Sequence, residues 1–341
     1  MFFRGNGCAR TRYAKPILLV VAIVCLPALL MAQSPVDNKV HIEPLAKSPT
    51  PPPAVTDPAM RLREKPIKVD VDLVLVSVTV TDPMNRLVTG LERENFQVFD
   101  SNALQDIRHF SSEDAPISLG VIFDVSGSMS NKIQKSRDAI VEFFKTANPQ
   151  DEFFLITFSD KPELLQDFTN SIEDIQGRLV YAIPKGRTSL FDAVYLGINK
   201  MREAKHPKKA LLIISDGGDN RSRYTDNEVK ALVKEADVQI YAIGLFDDVR
   251  GTPEEVRGPY MLQELTDPTG GRMFPVNDVS EMADTAVKIG VELRNQYVLG
   301  FRPSNKQRDG RWRKLKVKLN APKGLPLLKV NSKSGYYAPQ P

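Results

Sequence analysis

Apolar residues recur along the chain in two periods, and the period changes twice. Between residues 67 and 113 the spacing is that of strands. Val69, Val71 and Leu73 alternate with charged residues, and then Val74, Val76, Val78 and Val80 take the opposite phase. That shift means a bulge or a strand buried on both faces. Asp82-Pro83-Met84-Asn85 reads as a turn. Leu91, Phe96 and Val98, then Ile107 and Phe110, continue as short strands separated by the polar Asp100-Ser101-Asn102. This is about half of a β-sandwich, too little to close a core alone.

From 114 to 293 strands and helices alternate, the pattern of an α/β fold with a doubly wound, mostly parallel sheet. Strands are expected over 119–123, 153–158, 210–215, 238–245 and 272–276, with an antiparallel edge over 163–168. The first helix carries the stripe Ile133, Arg137, Ile140, Phe144 and offers Ser130 or Asn131 as its cap. Further helices fall at 172–181, 190–204, 226–236 with an acidic cap, 260–266 and 279–293. Strands then return at Tyr297–Phe301, at Trp312 with Leu315, Val317 and Leu319 against Lys314, Lys316 and Lys318, at 327–330 and at 335–337. The economical arrangement pairs 67–113 with 294–341 as the two halves of one β-sandwich, into which 114–293 is inserted, because each half is otherwise left with open edges. Two independent β-modules are the alternative.

The amino terminus changes the picture of charge. The chain has 46 basic and 42 acidic residues, but Arg4, Arg10, Arg12 and Lys15 lie in the first 32 residues, which hold no acid, so the remainder balances at 42 and 42. Such balance argues against a nucleic-acid partner. The basic residues precede an apolar run, 16–32, interrupted by Pro27 and short for a membrane span, which reads as a secretory signal peptide over 1–32. An uncleaved anchor is the alternative, and a lipoprotein at Cys25 fits less well because Val24 precedes it. Residues 33–66 hold eight prolines in 34 positions and no hydrophobic period, which suits an extended tether better than a docking ligand for a proline-binding module. The expected location is outside the cytoplasm: periplasmic, cell-surface or secreted. Both cysteines, Cys8 and Cys25, fall in the leader, so the rest of the chain has no disulfide, thiolate ligand or cysteine nucleophile.

Candidate chemistry gathers at three strand ends. Val121-Ile122-Phe123-Asp124-Val125-Ser126-Gly127-Ser128 is a buried parallel strand delivering hard oxygen ligands, and in an open α/β sheet ligands sit beyond the carboxyl ends of the strands. Lys185-Gly186-Arg187-Thr188-Ser189 and Ser215-Asp216-Gly217-Gly218 supply the later loops. Taken singly, Asp124 could cap a helix, and Ser126, Ser128 and Asp216-Gly217 could be turn residues. Asp219 and Asp192 lie close in sequence, Asp192 as a brace from the first turn of a helix. Enzyme readings find little support. A phosphoryl-transfer aspartate would want a second acid where Ser126 stands, no phosphate-cradling glycine loop is present, and His41, His109 and His206 have no partner spacing. No catalytic residue is assigned.

Asp124-x-Ser126-x-Ser128, then Thr188 after a glycine-containing loop, then Asp216-Gly217, resembles the metal-ion-dependent adhesion site of the von Willebrand factor A domain family over roughly 116–290. With its flanking strands the chain further resembles a bacterial, chiefly acidobacterial, group of secreted proteins built around this domain. The resemblance implies that Ser126, Ser128 and Thr188 bind a metal ion directly while Asp124 and Asp216 hold its waters. Mg²⁺ (or Mn²⁺) suits such oxygens. It implies a protein partner whose Asp or Glu carboxylate fills the open position, so that the mechanism is binding and not turnover. Arg187 departs from the small residue often found before the metal-binding threonine, and would either add a contact to the incoming carboxylate or point into solvent. The other reading is a structural or assembly scaffold of the cell envelope in which the metal only stabilises the loops.

Overall fold

A computed structural model describes residues 73–246 and 253–340. The expected leader, the tether and residues 67–72 of the first expected strand lie outside them. β1 (Val74–Thr81), β2 (Phe96–Asp100), β3 (Ala103–Gln105) and β4 (Ile107–Ser111) come first. β5 (Ile117–Asp124), α1 (Ile133–Lys145), β6 (Glu152–Phe158), β7 (Pro162–Thr169), α2 (Ile172–Leu179), α3 (Leu190–Lys200), β8 (Lys208–Ser215), α4 (Asp226–Glu235), β9 (Gln239–Leu245), α5 (Pro253–Thr266), β10 (Met273–Val276) and α6 (Met282–Arg294) follow. β11 (Tyr297–Phe301), β12 (Trp312–Leu319), β13 (Lys329–Ser332) and β14 (Gly335–Tyr337) close the chain.

The central sheet runs β10-β9-β8-β5-β6-β7, parallel except for the antiparallel edge β7. Its strands are continuous apolar runs because both faces are covered. Val121 and Phe123 pack under Ile140, Phe144 and Ile289 of α1 and α6, whereas Ile122 faces Val194, Val229 and Leu262 of α3, α4 and α5.

The flanking strands form two four-stranded sheets, β13-β1-β11-β4 and β14-β12-β2-β3, over one core of Val76, Val78, Phe96, Val98, Tyr297 and Leu315 among others. β1 pairs with β11 and β2 with β12. Strands from before and after the α/β segment are therefore neighbours in both sheets, and neither half has a closed core without the other. Within β1, Val76, Val78 and Val80 enter the sandwich core while Thr79 and Thr81 are equally buried on the opposite side, with no register shift; Val69 and Val71, which carry the other phase, lie outside the described residues.

Several local expectations change. Ser130 turns its hydroxyl back to the carbonyl of Gly127 (2.7 Å), so α1 begins at Ile133 after a 3₁₀ turn, without a side-chain cap. α4 is capped by Thr225 in a reciprocal box with Glu228 rather than by Asp226. α5 starts at Pro253, seven residues earlier than the expected 260–266, and runs through Pro259, which lacks a backbone donor there, with Leu262 and Leu265 buried in its last turns. β13 starts at Lys329 because Leu327 is 90% exposed. In β12, Leu315 and Val317 are buried and Lys314, Lys316 and Lys318 exposed, while Arg313 is buried and donates to the carbonyls of Asn305 and Gln307. No helix among the described residues is long and apolar enough to cross a membrane.

Polar networks fix the α/β layers on the sandwich. Arg294 pairs with the buried Asp151 and with Asp114 (3.2 Å), pinning the chain where it enters and leaves the insert. Glu292, fully buried, is held by Arg272 and by Tyr241 Oη (3.2 Å), and Gln296 donates to Tyr241 Oη (3.1 Å) and Thr79 Oγ1 (3.2 Å). Removing one partner of such a pair leaves a buried charge. Arg272→Met is expected to lower unfolding free energy by about 3 kcal/mol in urea titrations, and Arg272→Met with Glu292→Met to recover much of that loss. Equal destabilisation in both would show that the loss in Arg272→Met does not come from leaving Glu292 buried and unpaired.

Candidate functional site

β5 lies between β8 and β6, which places its last residue, Asp124, at the centre of the carboxyl edge and fully buried. Both oxygens of its carboxylate are engaged. Oδ1 accepts from the N–H of Ser126 (2.8 Å) and Oδ2 from Ser215 Oγ (2.6 Å). Ser126 is itself buried, and its hydroxyl lies 3.0 Å from that of Ser128, which is exposed at the mouth. Met129, fully buried, anchors the turn from below.

The second loop is stitched to the first. Lys185 N–H donates to the carbonyl of Val125 (2.8 Å) and Gly127 N–H to that of Gly186 (3.1 Å). Gly186 has φ +77°, and a Cβ there would stand 2.5 Å from Asp160 Oδ2, so only glycine fits. Asp160 Oδ1 accepts from Arg187 N–H (3.1 Å). Thr188 is buried; its N–H donates to Asn220 Oδ1 (3.1 Å), and its carbonyl accepts from the N–H groups of Asn220 (3.0 Å) and Arg221 (3.1 Å).

The third loop leaves β8 through Ser215 and the buried Asp216. Gly217, at φ +80°, meets Gly258 of α5 so closely that a Cβ on it would lie 2.6 Å from the Gly258 carbonyl oxygen. Backbone against backbone, this contact holds Asp216 in place. Asp219 and Asp192 act as braces: Asp219 Oδ2 accepts from Phe191 N–H (2.9 Å) and Ser222 Oγ (2.6 Å), and Asp192 Oδ1 from the N–H groups of Arg223 (2.8 Å) and Tyr224 (3.1 Å).

Electrostatics single out Asp124. Burial, and then repulsion from the neighbouring Asp216, push its pKa up to about 7, against the opposing hydrogen bonds of Ser126 and Ser215. Neither carboxylate has an ion pair among the described residues. Two buried acids without a cation, beside serine and threonine hydroxyls, form a donor set of hard oxygens with unmet demand for positive charge, and a divalent ion that keeps some of its waters fits it. No group of three or more His, Cys, Asp or Glu suited to a metal exists among the described residues, so any ion here would depend on the hydroxyls. Arg187 is exposed at the rim. His206 contacts the carbonyl of Gln150 (2.9 Å) at the opposite end of β8, and His109 is exposed on β4.

The structure thus places Asp124, Ser126, Ser128, Thr188 and Asp216 on three loops joined by backbone hydrogen bonds. Ser215, Asn220, Asp160 and Gly258 escaped sequence reasoning. Ser215 had a signal, a hydroxyl ending an apolar strand just before an acid; the others have none, since their partners lie 26 to 42 positions away.

Residues 119–218 match the family model of the von Willebrand factor type A domain. An uncharacterised protein of Borreliella burgdorferi is 22% identical over 182 residues, 46% of this chain and 53% of that protein. Inter alpha-trypsin inhibitor, heavy chain 4, of Mus musculus is 29% identical over 163 residues, 42% of this chain and 17% of that protein. The chain therefore aligns with about half the length of the first relative and about a sixth of the second. Among solved structures, a von Willebrand factor type A protein of Catenulispora acidiphila superposes with a TM-score of 0.47 at 11% identity, covering 79% of this chain and 75% of that one. The conserved hypothetical protein BatB of Bacteroides thetaiotaomicron gives 0.42 at 18% identity, covering 52% and 98%. Strand order and loop positions agree with that match: residues 119–218 resemble a von Willebrand factor type A domain and lie within an α/β fold of that kind.

Proposed function

We propose that the protein acts outside the cytoplasm as a metal-dependent binding module for a protein partner that presents an Asp or Glu carboxylate. Ser126, Ser128 and Thr188 would hold Mg²⁺ or Mn²⁺ directly, with Asp124 and Asp216 acting through its waters. The ion, once bound, supplies an electrophilic position for the partner's carboxylate. The observation that carries this reading is the pair of buried carboxylates, Asp124 and Asp216, with no ion pair among the described residues, at the mouth of which the Ser128 hydroxyl is exposed.

The surface beside the site supports a protein partner over a purely structural ion. Val180, Tyr181 and Ile183 are 66%, 73% and 66% exposed on the connection that leads into the Thr188 loop. Ala182 between them is buried, and its carbonyl accepts from the Arg137 guanidinium (2.6 Å), so the apolar side chains stand on a fixed backbone. Rigid exposed apolar groups next to a polar centre are features of a docking surface. Arg187, at the rim, would give the incoming carboxylate a second contact. The loops are already joined by hydrogen bonds of their own, so their backbone geometry does not rest on an ion. Export rests on the basic and apolar leader over 1–32.

Calorimetric titration of the protein with Mg²⁺ and Mn²⁺ should show saturable binding that is lost in Asp124→Ala, with melting of that variant shifted by only a few degrees at most. Absence of binding by the folded parent would remove the metal from the mechanism. If chelation instead lowered the melting temperature strongly while partner capture persisted, the ion would be structural.

A pH dependence follows from Asp124. Its pKa is raised from 3.8 to about 7 in the folded protein, so the folded state holds this proton more tightly than the unfolded chain does. The stabilising contribution is complete at low pH and is lost as pH rises through the folded pKa. In chelator, the parent is therefore expected to melt at a lower temperature at pH 8 than at pH 5, with a smaller difference in Asp124→Asn. Metal affinity should rise over the same interval, because the ion must displace the proton. Identical melting profiles for parent and Asp124→Asn would contradict the burial argument.

A further inference from the structure

Beyond residue 32 the chain is electrically balanced, but the fold distributes its charge unevenly. A cleft of about 730 Å³ opens between the sandwich and the α/β layers, on the side of β10, β12 and β13. Its walls carry Arg272, Lys288, Lys316, Lys329 and Lys333 against a single carboxylate, Asp267. Arg272 is spoken for by Glu292, and Lys333 by Asp237 (2.9 Å). Lys288, Lys316 and Lys329 have no carboxylate within ion-pair distance among the described residues.

The positive charge continues out of the cleft. Lys314 and Lys318 flank Lys316 on the exposed face of β12, also without ion pairs among the described residues. Strand geometry spaces them about 7 Å apart, which makes a straight row. Neutral hydrogen-bonding groups lie between the charges. Asn331 lines the cleft with a buried Nδ2 that has no partner among the described residues, and Asn85, Ser332 and Ser334 line it too. The aromatic rings beside these charges already carry cations: Arg272 lies 4.8 Å and Lys288 5.8 Å from the centre of Phe274 in the cleft, and Lys318 4.8 Å from that of Phe99 on β2.

We infer that this cleft and the lysine row of β12 bind an acidic polysaccharide, a linear chain of sugars bearing carboxylate or sulfate groups. Lysines are compact point charges suited to anionic groups spread along a flexible polymer, whereas bidentate recognition of one phosphate would favour arginine. The amides and hydroxyls between them match sugar hydroxyls. A single-stranded nucleic acid would want free aromatic faces for its bases, and the rings here are taken. The site is separate from the Asp124 loops and does not depend on the metal reading.

Binding of the full chain to a sulfated heparin oligosaccharide, polygalacturonate, inorganic polyphosphate, oligothymidylate and neutral dextran would be measured by interferometry at about 50 mM and about 200 mM salt. Lys288→Gln/Lys316→Gln/Lys329→Gln would be compared with Lys135→Gln/Lys145→Gln/Lys161→Gln, which has the same change in charge on other surfaces, each checked for folding by circular dichroism. The expected result is chelator-insensitive binding of at least one acidic saccharide, weakened about tenfold or more in the cleft variant, within about twofold of the parent in the control variant, and weaker at the higher salt. Equal losses in the two variants, no saccharide binding by the parent at the lower salt, or tighter binding of polyphosphate or oligothymidylate than of both acidic saccharides would overturn the inference.

Discussion

The candidate site depends on a carboxylate buried at the end of the central strand. Asp124 ends the central strand of a sheet covered on both faces, and its charge would be unfavourable there without the Ser126 and Ser215 donors. Asp216 adds a second acid close enough to repel the first. The surrounding architecture serves to keep these groups together. Gly217 presses on Gly258, Gly186 leaves room for Asp160, and Asn220 bonds the Thr188 backbone on both its donor and acceptor sides. A site under such electrostatic tension is where a cation has most to offer, because any ion that enters relieves repulsion as well as gaining ligands.

The sandwich gives this domain a base. Because β1 pairs with β11 and β2 with β12, the chain must complete the whole α/β insert before either flanking sheet can close. Such long-range pairing carries a high loop-closure cost and suggests that the insert, with its local strand and helix alternation, orders first. The ion pairs of Arg294 with Asp114 and Asp151 then sit at the crossing points, where the chain passes between layers. The interface is therefore specified by directional bonds as well as apolar burial, and the relative placement of the two layers is correspondingly restricted.

Charge is where sequence and structure tell most different stories. Equal numbers of acids and bases past the leader imply no preference for a polyanion, yet Lys288, Lys314, Lys316, Lys318 and Lys329, none of them in an ion pair among the described residues, lie along β12 and the adjoining cleft. A row of lysines on alternate positions is visible in sequence as the wet face of a strand. That it faces a cleft shared with Lys288 and Lys329, some 28 positions before it and 13 after, is a product of folding alone.

The sequence by itself determined what depends on near neighbours. Period-two and helical spacing gave the order of strands and helices, including the antiparallel edge, and the Asp124, Ser126, Ser128 motif with Thr188 and Asp216 was legible because each residue sits next to a strand end that hydrophobic patterning reveals. Even the choice of insertion over two separate modules followed from unburied edges. Only the tertiary structure decided the rest. The cap at Thr225, the passage of α5 through Pro259, and burial of both faces of β1 reflect packing energies that exceed local propensity. The braces from Asn220, Asp160 and Gly258 involve residues whose own surroundings in sequence say nothing of the loop they support. Local pattern records which face of an element is dry; it does not record which distant element will come to rest against it.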